Sequence, residues 1–219
     1  MRFLLIAFYI FGLFASTPGY SQEGVGPEFS KDFPEHFKNY LKSVLQELYL
    51  IKGQGSTPFH TKVFGGPVDG SIYRNWFQAR VRKIKMQKDD CSFSAKIDSE
   101  GEPGVIYIST CVNQSPGPAS KLYWLSVLFH EARHLEPHNH FWKHQICMDG
   151  VSGAAQACDP SAFGPYGLEK IFSYNLVNHC FNCDEEFKKQ ALEVYEDETN
   201  WRRLSRSAQD QLMNDSKNK

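Results

Sequence analysis

The chain has no marked imbalance of charge: 24 Lys and Arg stand against 25 Asp and Glu, a net charge of −1. A nucleic-acid binder needs a basic face, and nothing in this composition gives an electrostatic reason to expect one. Beyond residue 14 there is no apolar run long enough to cross a bilayer. No internal repeat is present, which excludes solenoid and propeller architectures. Only one C-x-x-C occurs, Cys180-Phe181-Asn182-Cys183, so a four-cysteine structural zinc site is disfavoured. No aromatic array of the kind that binds sugars stands out.

What is present begins with a leader. Arg2 followed by an apolar stretch over residues 3–14, then Gly19-Tyr20-Ser21 before Gln22, reads as a signal peptide over residues 1–21. No cysteine follows the cleavage point, so lipid anchoring there is not expected. The mature chain is expected to be secreted or periplasmic, away from the membrane, and monomeric. An oxidising compartment suits the six cysteines Cys91, Cys111, Cys147, Cys158, Cys180 and Cys183. Residues 91–97 alternate apolar and polar, Gly101-Glu102-Pro103-Gly104 is turn chemistry, and residues 105–111 are strand-like. A hairpin folded there sets Cys91 opposite Cys111, at disulfide distance. Cys147 with Cys158 would close a loop, and Cys180 and Cys183 can bond to each other or offer thiolates to zinc.

The 219 residues suffice for one domain with a proper core, and the 41% hydrophobic content marks it as globular. The domain is expected over residues 22–205, with a polar, frayed tail over 206–219. Asp32-Phe33-Pro34-Glu35 reads as a capping box before a helix carrying Phe37, Tyr40, Leu41, Val44, Leu45 and Leu48 at helical spacing. The glycine-rich residues 53–70 read as a loop, with His60 solvated in it. A second helix is expected over 72–86, with Arg80, Arg82, Lys83 and Lys85 forming a solvated face. Further helices are expected over 168–179, with His179 in a core or capping role, and from Asp184 onward.

The chemistry concentrates in His130-Glu131-Ala132-Arg133-His134, followed by Leu135-Glu136-Pro137-His138-Asn139-His140. On an α-helix, positions i and i+4 share a face, so His130 and His134 can aim both imidazoles at one point. Glu131 is rotated about 100° from His130 on the same turn, where its carboxylate can reach a metal-activated water without ligating. Ser120 is a fitting N-cap, and Pro137 stops the helix. The run over residues 122–129 is apolar on most sides, as befits a buried site helix.

H-E-x-x-H with a third histidine six residues on resembles the zincin metallopeptidases, and the spacing of His130, His134 and His140 resembles the metzincin branch. Pro137 stands where that branch has glycine, and no methionine turn is evident around Met148. Cys158-Asp159 with the later Gly164-Pro165-Tyr166-Gly167 resembles the aspzincins, which would make Asp159 the third ligand. A gluzincin pattern would use Glu169. The whole is similar to small secreted bacterial proteins with an H-E-A-R-H helix. The resemblance implies an α+β zincin-like fold: a small antiparallel sheet or hairpin packed on the active-site helix, and a helical C-terminal part. It implies Zn²⁺ held by His130, His134 and His140, with His138, His144 and Asp159 as alternatives. It also implies Glu131 as general base, Tyr166 or Arg133 on the oxyanion, and a peptide or protein substrate bound along the strand over residues 105–110. The alternatives are a non-catalytic zinc-binding protein and a zinc hydrolase of cell-wall amides.

Overall fold

One run of aromatic rings sets the centre of the molecule. In the computed structural model, which describes residues 26–88, 91–92, 94–98, 101–114, 120–136, 143–146 and 157–217, Phe129 stacks on Trp76, Phe77 and Phe172. Phe64 and Tyr73 close the same cluster. Such rings bury large apolar areas with specific offset or edge contacts, so they fix how the helices carrying them cross. The expected signal peptide and Pro137, His138, His140 and Cys147 lie outside the described residues.

Around this centre the chain is α+β. In order come β1 (Glu28–Phe29), α1 (Glu35–Tyr49), α2 (Pro58–Phe64), α3 (Gly70–Gln78), β2 (Lys83–Gln87), β3 (Ala95–Ile97) and β4 (Val105–Ser109). A 3-10 turn over Thr110–Gln114 leads to α4 (Lys121–His134), followed by α5 (Pro165–His179), α6 (Glu185–Glu196), α7 (Glu198–Arg202) and α8 (Arg206–Asp215). The sheet order is β1-β2-β4-β3. The first three of these strands run parallel, and β3 is antiparallel to β4, so the sheet is mixed rather than antiparallel. Among the described residues β3 is an edge, whereas β4 is covered on both sides, by β2 and by β3. α4 packs on β3 and β4 at one side and on α1, α5 and α6 at others, which explains its burial nearly all round.

Several elements depart from the sequence expectations. The second helix ends at Gln78, and residues 83–87 are a strand with Ile84 and Met86 buried between half-exposed Lys83, Lys85 and Gln87. Val81 and Ile84 satisfy a helical spacing, but Ile84 and Met86 satisfy period two, and sheet pairing decided between them. The cations of that stretch are engaged: Arg80 pairs with Glu136 and lies 4.0 Å over Trp76, and Lys85 pairs with Glu102. The capping box is absent, since Pro34 itself is the N-cap and makes no side-chain cap bond. The supposed tail forms α8, which buries Ala208 and Leu212, while Asp215 Oδ1 accepts from the Phe59 amide. A helix with its own apolar face needed only a surface to dock on, and α5 supplies it.

The loop over 53–70 contains α2, capped by Thr57 and ended by Gly65 in the left-handed conformation, φ 86°. His60 is therefore fully buried rather than solvated. Its Nδ1 meets Gly66 O at 3.0 Å and its Nε2 meets the Tyr73 hydroxyl at 2.7 Å. Cys91 is joined to Cys111, with Cα atoms 5.4 Å apart. The bond does not sit in the ladder, because Ala95 pairs with Ile108, Cys91 precedes β3 and Cys111 lies in the 3-10 turn. Cys158 is also in a disulfide.

Burial lowers the His60 pKa to about 4 from an ordinary 6.5. Between those values the unfolded chain binds a proton there and the folded chain does not, so stability is full above pH 6.5 and falls as pH drops toward 4. The loss amounts to roughly 3 kcal/mol. Chemical denaturation at pH 7.5 and pH 4 is expected to show this acid-side loss, and His60→Gln, though less stable at pH 7.5, is expected to lose correspondingly less between the two.

Candidate metal centre

Two of the three imidazoles come from one helix. α4 is started by the Ser120 hydroxyl, which accepts from the Tyr123 amide at 3.1 Å, and it ends at His134. Its last turn therefore presents His130 and His134 on the same face, with ring centroids 5.1 Å apart. The third imidazole is His144. Its ring centroid lies 5.2 Å from that of His130 and 4.7 Å from that of His134. One nitrogen from each of the three lies within 4.8 Å of the others, which makes this a group able to hold a metal ion. The Nε2 atoms of His130 and His144 are 3.2 Å apart. Two nitrogens on a tetrahedral zinc stand about 3.3 Å apart, so the spacing fits.

His144 reaches this position through a backbone knot. Gln145 and Cys158 exchange amide bonds of 2.8 and 2.9 Å, which sets His144 beside Asp159. Asp159 in turn bridges to residues 203–205: its amide donates to Arg203 O and its carbonyl accepts from Ser205 N. Three segments distant in sequence thus meet at one point.

Each of two ligand candidates is held from behind by a carboxylate. Glu169 Oε1 lies 2.5 Å from His130 Nδ1, and Asp159 Oδ1 lies 2.9 Å from His144 Nδ1. A carboxylate on Nδ1 fixes the tautomer with the lone pair on Nε2 and makes that nitrogen a better donor to a cation. Burial holds His130 neutral, with its pKa lowered to about 3, helped by His144. The supporting acids are themselves tied down. Glu169 Oε2 accepts from Ser126 and Asn200, both at 2.8 Å, and Asp159 Oδ2 accepts from the Tyr166 amide at 2.6 Å. Burial pushes Glu169 up to about 7.

The Gly-Pro-Tyr-Gly stretch gains a physical meaning here. A Cβ on Gly164 would stand 2.4 Å from Asp159 Cγ, and one on Gly167 would stand 2.0 Å from the Ala162 carbonyl oxygen. Both glycines let the start of α5 close on the 159–162 segment. Tyr166 then stacks on His144 at 4.7 Å and meets the His130 ring edge-on at 4.6 Å. Burial pushes its phenol up to about 12. Its hydroxyl accepts from Arg203 Nη1.

Glu131 is buried beside the cluster, and the Ile97 amide of β3 donates to it. Burial, then the charge of Glu169, raise its pKa well above the usual carboxylate value. The cluster opens into a cleft of about 1150 Å³ whose lining includes Lys96 and Ile97 of β3, Glu131 and the three histidines. The Cys91–Cys111 disulfide, Tyr166, Glu169 and Arg203 also line it.

Of the residues expected at the site, His130, His134, Glu131 and Tyr166 come together. His144, one of the alternatives to His140, supplies the third imidazole among the described residues; His138 and His140 lie outside them. Asp159 and Glu169 serve as carboxylate partners of His144 and His130. Arg133 does not face the cleft: it donates to Phe163 O and pairs with Glu136. Cys180 and Cys183 are bonded to each other, so neither offers a thiolate. Arg203, Asn200 and Ser126 carried no signal in their own sequence neighbourhoods. No family model matches the chain, and comparison with curated proteins and with solved structures brings no similar one.

Replacing the carboxylate behind His144 is expected to weaken metal binding. Asp159→Asn should lower affinity for a divalent metal ion about 10- to 100-fold in competition with a chelating dye. Gly164→Ala is expected to shift the same way, because its methyl must displace Asp159. Unchanged affinity in both variants would remove Asp159 from the site.

Proposed function

We propose that this chain is a zinc-dependent peptidase of zincin type, in which His130, His134 and His144 hold the ion. The observation that carries this reading is three converging imidazoles, two backed by carboxylates, in an open cleft beside a buried glutamate that is not a ligand. Three protein ligands that leave a position free are the mark of a catalytic rather than a structural zinc site. A bound zinc ion supplies Lewis-acid polarisation of the scissile carbonyl and makes a water acidic enough to attack it.

The chain's own groups do the rest. Glu131 accepts the proton of the attacking water at its carboxylate; the Ile97 amide orients it, and its dry surroundings favour the protonated form once made. The same carboxyl group then gives that proton to the leaving amine. Tyr166 keeps its phenolic proton at neutral pH, and Arg203 occupies an acceptor site on its oxygen, so the O–H is available to donate to the oxyanion. The substrate strand is reassigned. Among the described residues β4 has no open edge, whereas β3 has one and lines the cleft, so an extended peptide would add to β3 through main-chain hydrogen bonds.

Disulfides at Cys91–Cys111 and Cys180–Cys183 suit an oxidising compartment. No helix among the described residues is long and apolar enough to cross a membrane.

Glu131→Gln is expected to keep its zinc, measured by elemental analysis, and to lose at least ~100-fold in turnover of a fluorogenic peptide library. Turnover surviving in that variant would sink the base assignment. Tyr166→Phe is expected to lower kcat about 10- to 100-fold with little change in KM; an unaltered kcat would take the phenol out of the reaction.

A further inference from the structure

Arg203 differs from the other enclosed arginines of the cluster's surroundings. Arg80 and Arg133 both clamp Glu136, as buried guanidinium groups ordinarily require. Among the described residues no carboxylate pairs with Arg203. Among the described residues the one hydrogen-bond partner of its guanidinium is the neutral Tyr166 hydroxyl, and its Cζ lies 5.0 Å from the Tyr166 ring centroid. The nearby acids are committed elsewhere. Asp159 gives one oxygen to His144 and the other to the Tyr166 amide; Glu169 serves His130, Ser126 and Asn200. Glu193 and Asp197 also line the cleft, but neither is at ion-pair distance from Arg203. The charge nevertheless acts at the site: it disfavours protonation of His130 and favours ionisation of Glu169.

A guanidinium presents five N–H donors in a planar fork that matches a carboxylate. One donor is engaged by Tyr166, and that ring separates Arg203 from the imidazoles by a single side chain. We infer that Arg203 anchors a carboxylate of the substrate in the cleft, close to the bond that is cut. The substrates are then peptides with a carboxylate beside the scissile bond, either the free C-terminus or an aspartate or glutamate side chain. This inference rests on the peptidase reading above. Of the acceptors a peptide can offer, a carboxylate alone both neutralises the charge and fills the fork.

The test uses the zinc-loaded Glu131→Gln protein, which binds peptides without consuming them. Isothermal titration calorimetry is run with an acetylated alanine tetrapeptide with a free C-terminus, with its C-terminal amide, and with that amide carrying one glutamate. One of the two carboxylate peptides is expected to bind about 10- to 100-fold more tightly than the neutral amide, and which one identifies the source. Adding Arg203→Gln should abolish that preference, whereas Arg203→Lys, which keeps the charge without the fork, should retain part of it. Equal binding of all three peptides, or a preference that survives Arg203→Gln, overturns the inference. Should the glutamine variant fail to fold by its melting curve, an undiminished preference in Arg203→Lys overturns it instead. Zinc content is measured on the same samples. A parent protein that takes up no zinc refutes the peptidase reading, and the Arg203 comparison on the metal-free protein still decides this one.

Discussion

The hydrogen bonds that the imidazoles donate to carboxylates, His130 to Glu169 and His144 to Asp159, are the interactions on which the candidate centre depends. Three imidazoles brought together at the wall of a cleft have no strong reason to point their ring nitrogens at one another. An acceptor behind His130 and another behind His144 supply the reason for those two, because each accepts the Nδ1 hydrogen bond and turns Nε2 inward. Burying two carboxylates is itself costly unless their oxygens are satisfied. The surrounding residues answer that cost: Ser126 and Asn200 on one acid, the Tyr166 amide on the other.

This requirement reaches far along the chain. Asn200 can serve Glu169 only if the turn between α6 and α7 is held in place. Lys170, fully buried next to Glu169, holds it by donating to the carbonyls of Val194, Tyr195 and Asp197. Burial lowers that lysine to about 8, but three carbonyl acceptors at the end of α6 and the Trp201 face at 5.3 Å compensate the charge. Likewise Asp159 is aimed by the amide bridge to residues 203–205 and by the close approach that Gly164 permits. The helical C-terminal part is thus a scaffold for the centre.

The sheet contributes on the opposite flank. β3 is short, antiparallel to its neighbour and, among the described residues, an edge strand, and it sends the Ile97 amide to Glu131. Cys91 and Cys111 tie the approach to β3 to the turn after β4. Edge strands are ordinarily a liability; here the edge borders the cleft.

The sequence alone determined the features that are local. Four-residue spacing put His130 and His134 on one face, and Ser120 began their helix, because each of these is a matter of backbone geometry within one or two turns. Local pattern also misled where two periods fitted, at Val81, Ile84 and Met86, and where polarity concealed a docked helix, over residues 206–215. The tertiary structure alone decided which imidazole joins the pair among the described residues, which acids stand behind the rings, and that Arg203 shares their cleft. Those contacts join residues dozens of positions apart, such as Ser126 with Glu169 and Asp159 with Arg203. Spacing along a chain carries no information about such meetings, because they are fixed by how the aromatic centre orients α4 against α5, not by any run of neighbouring residues.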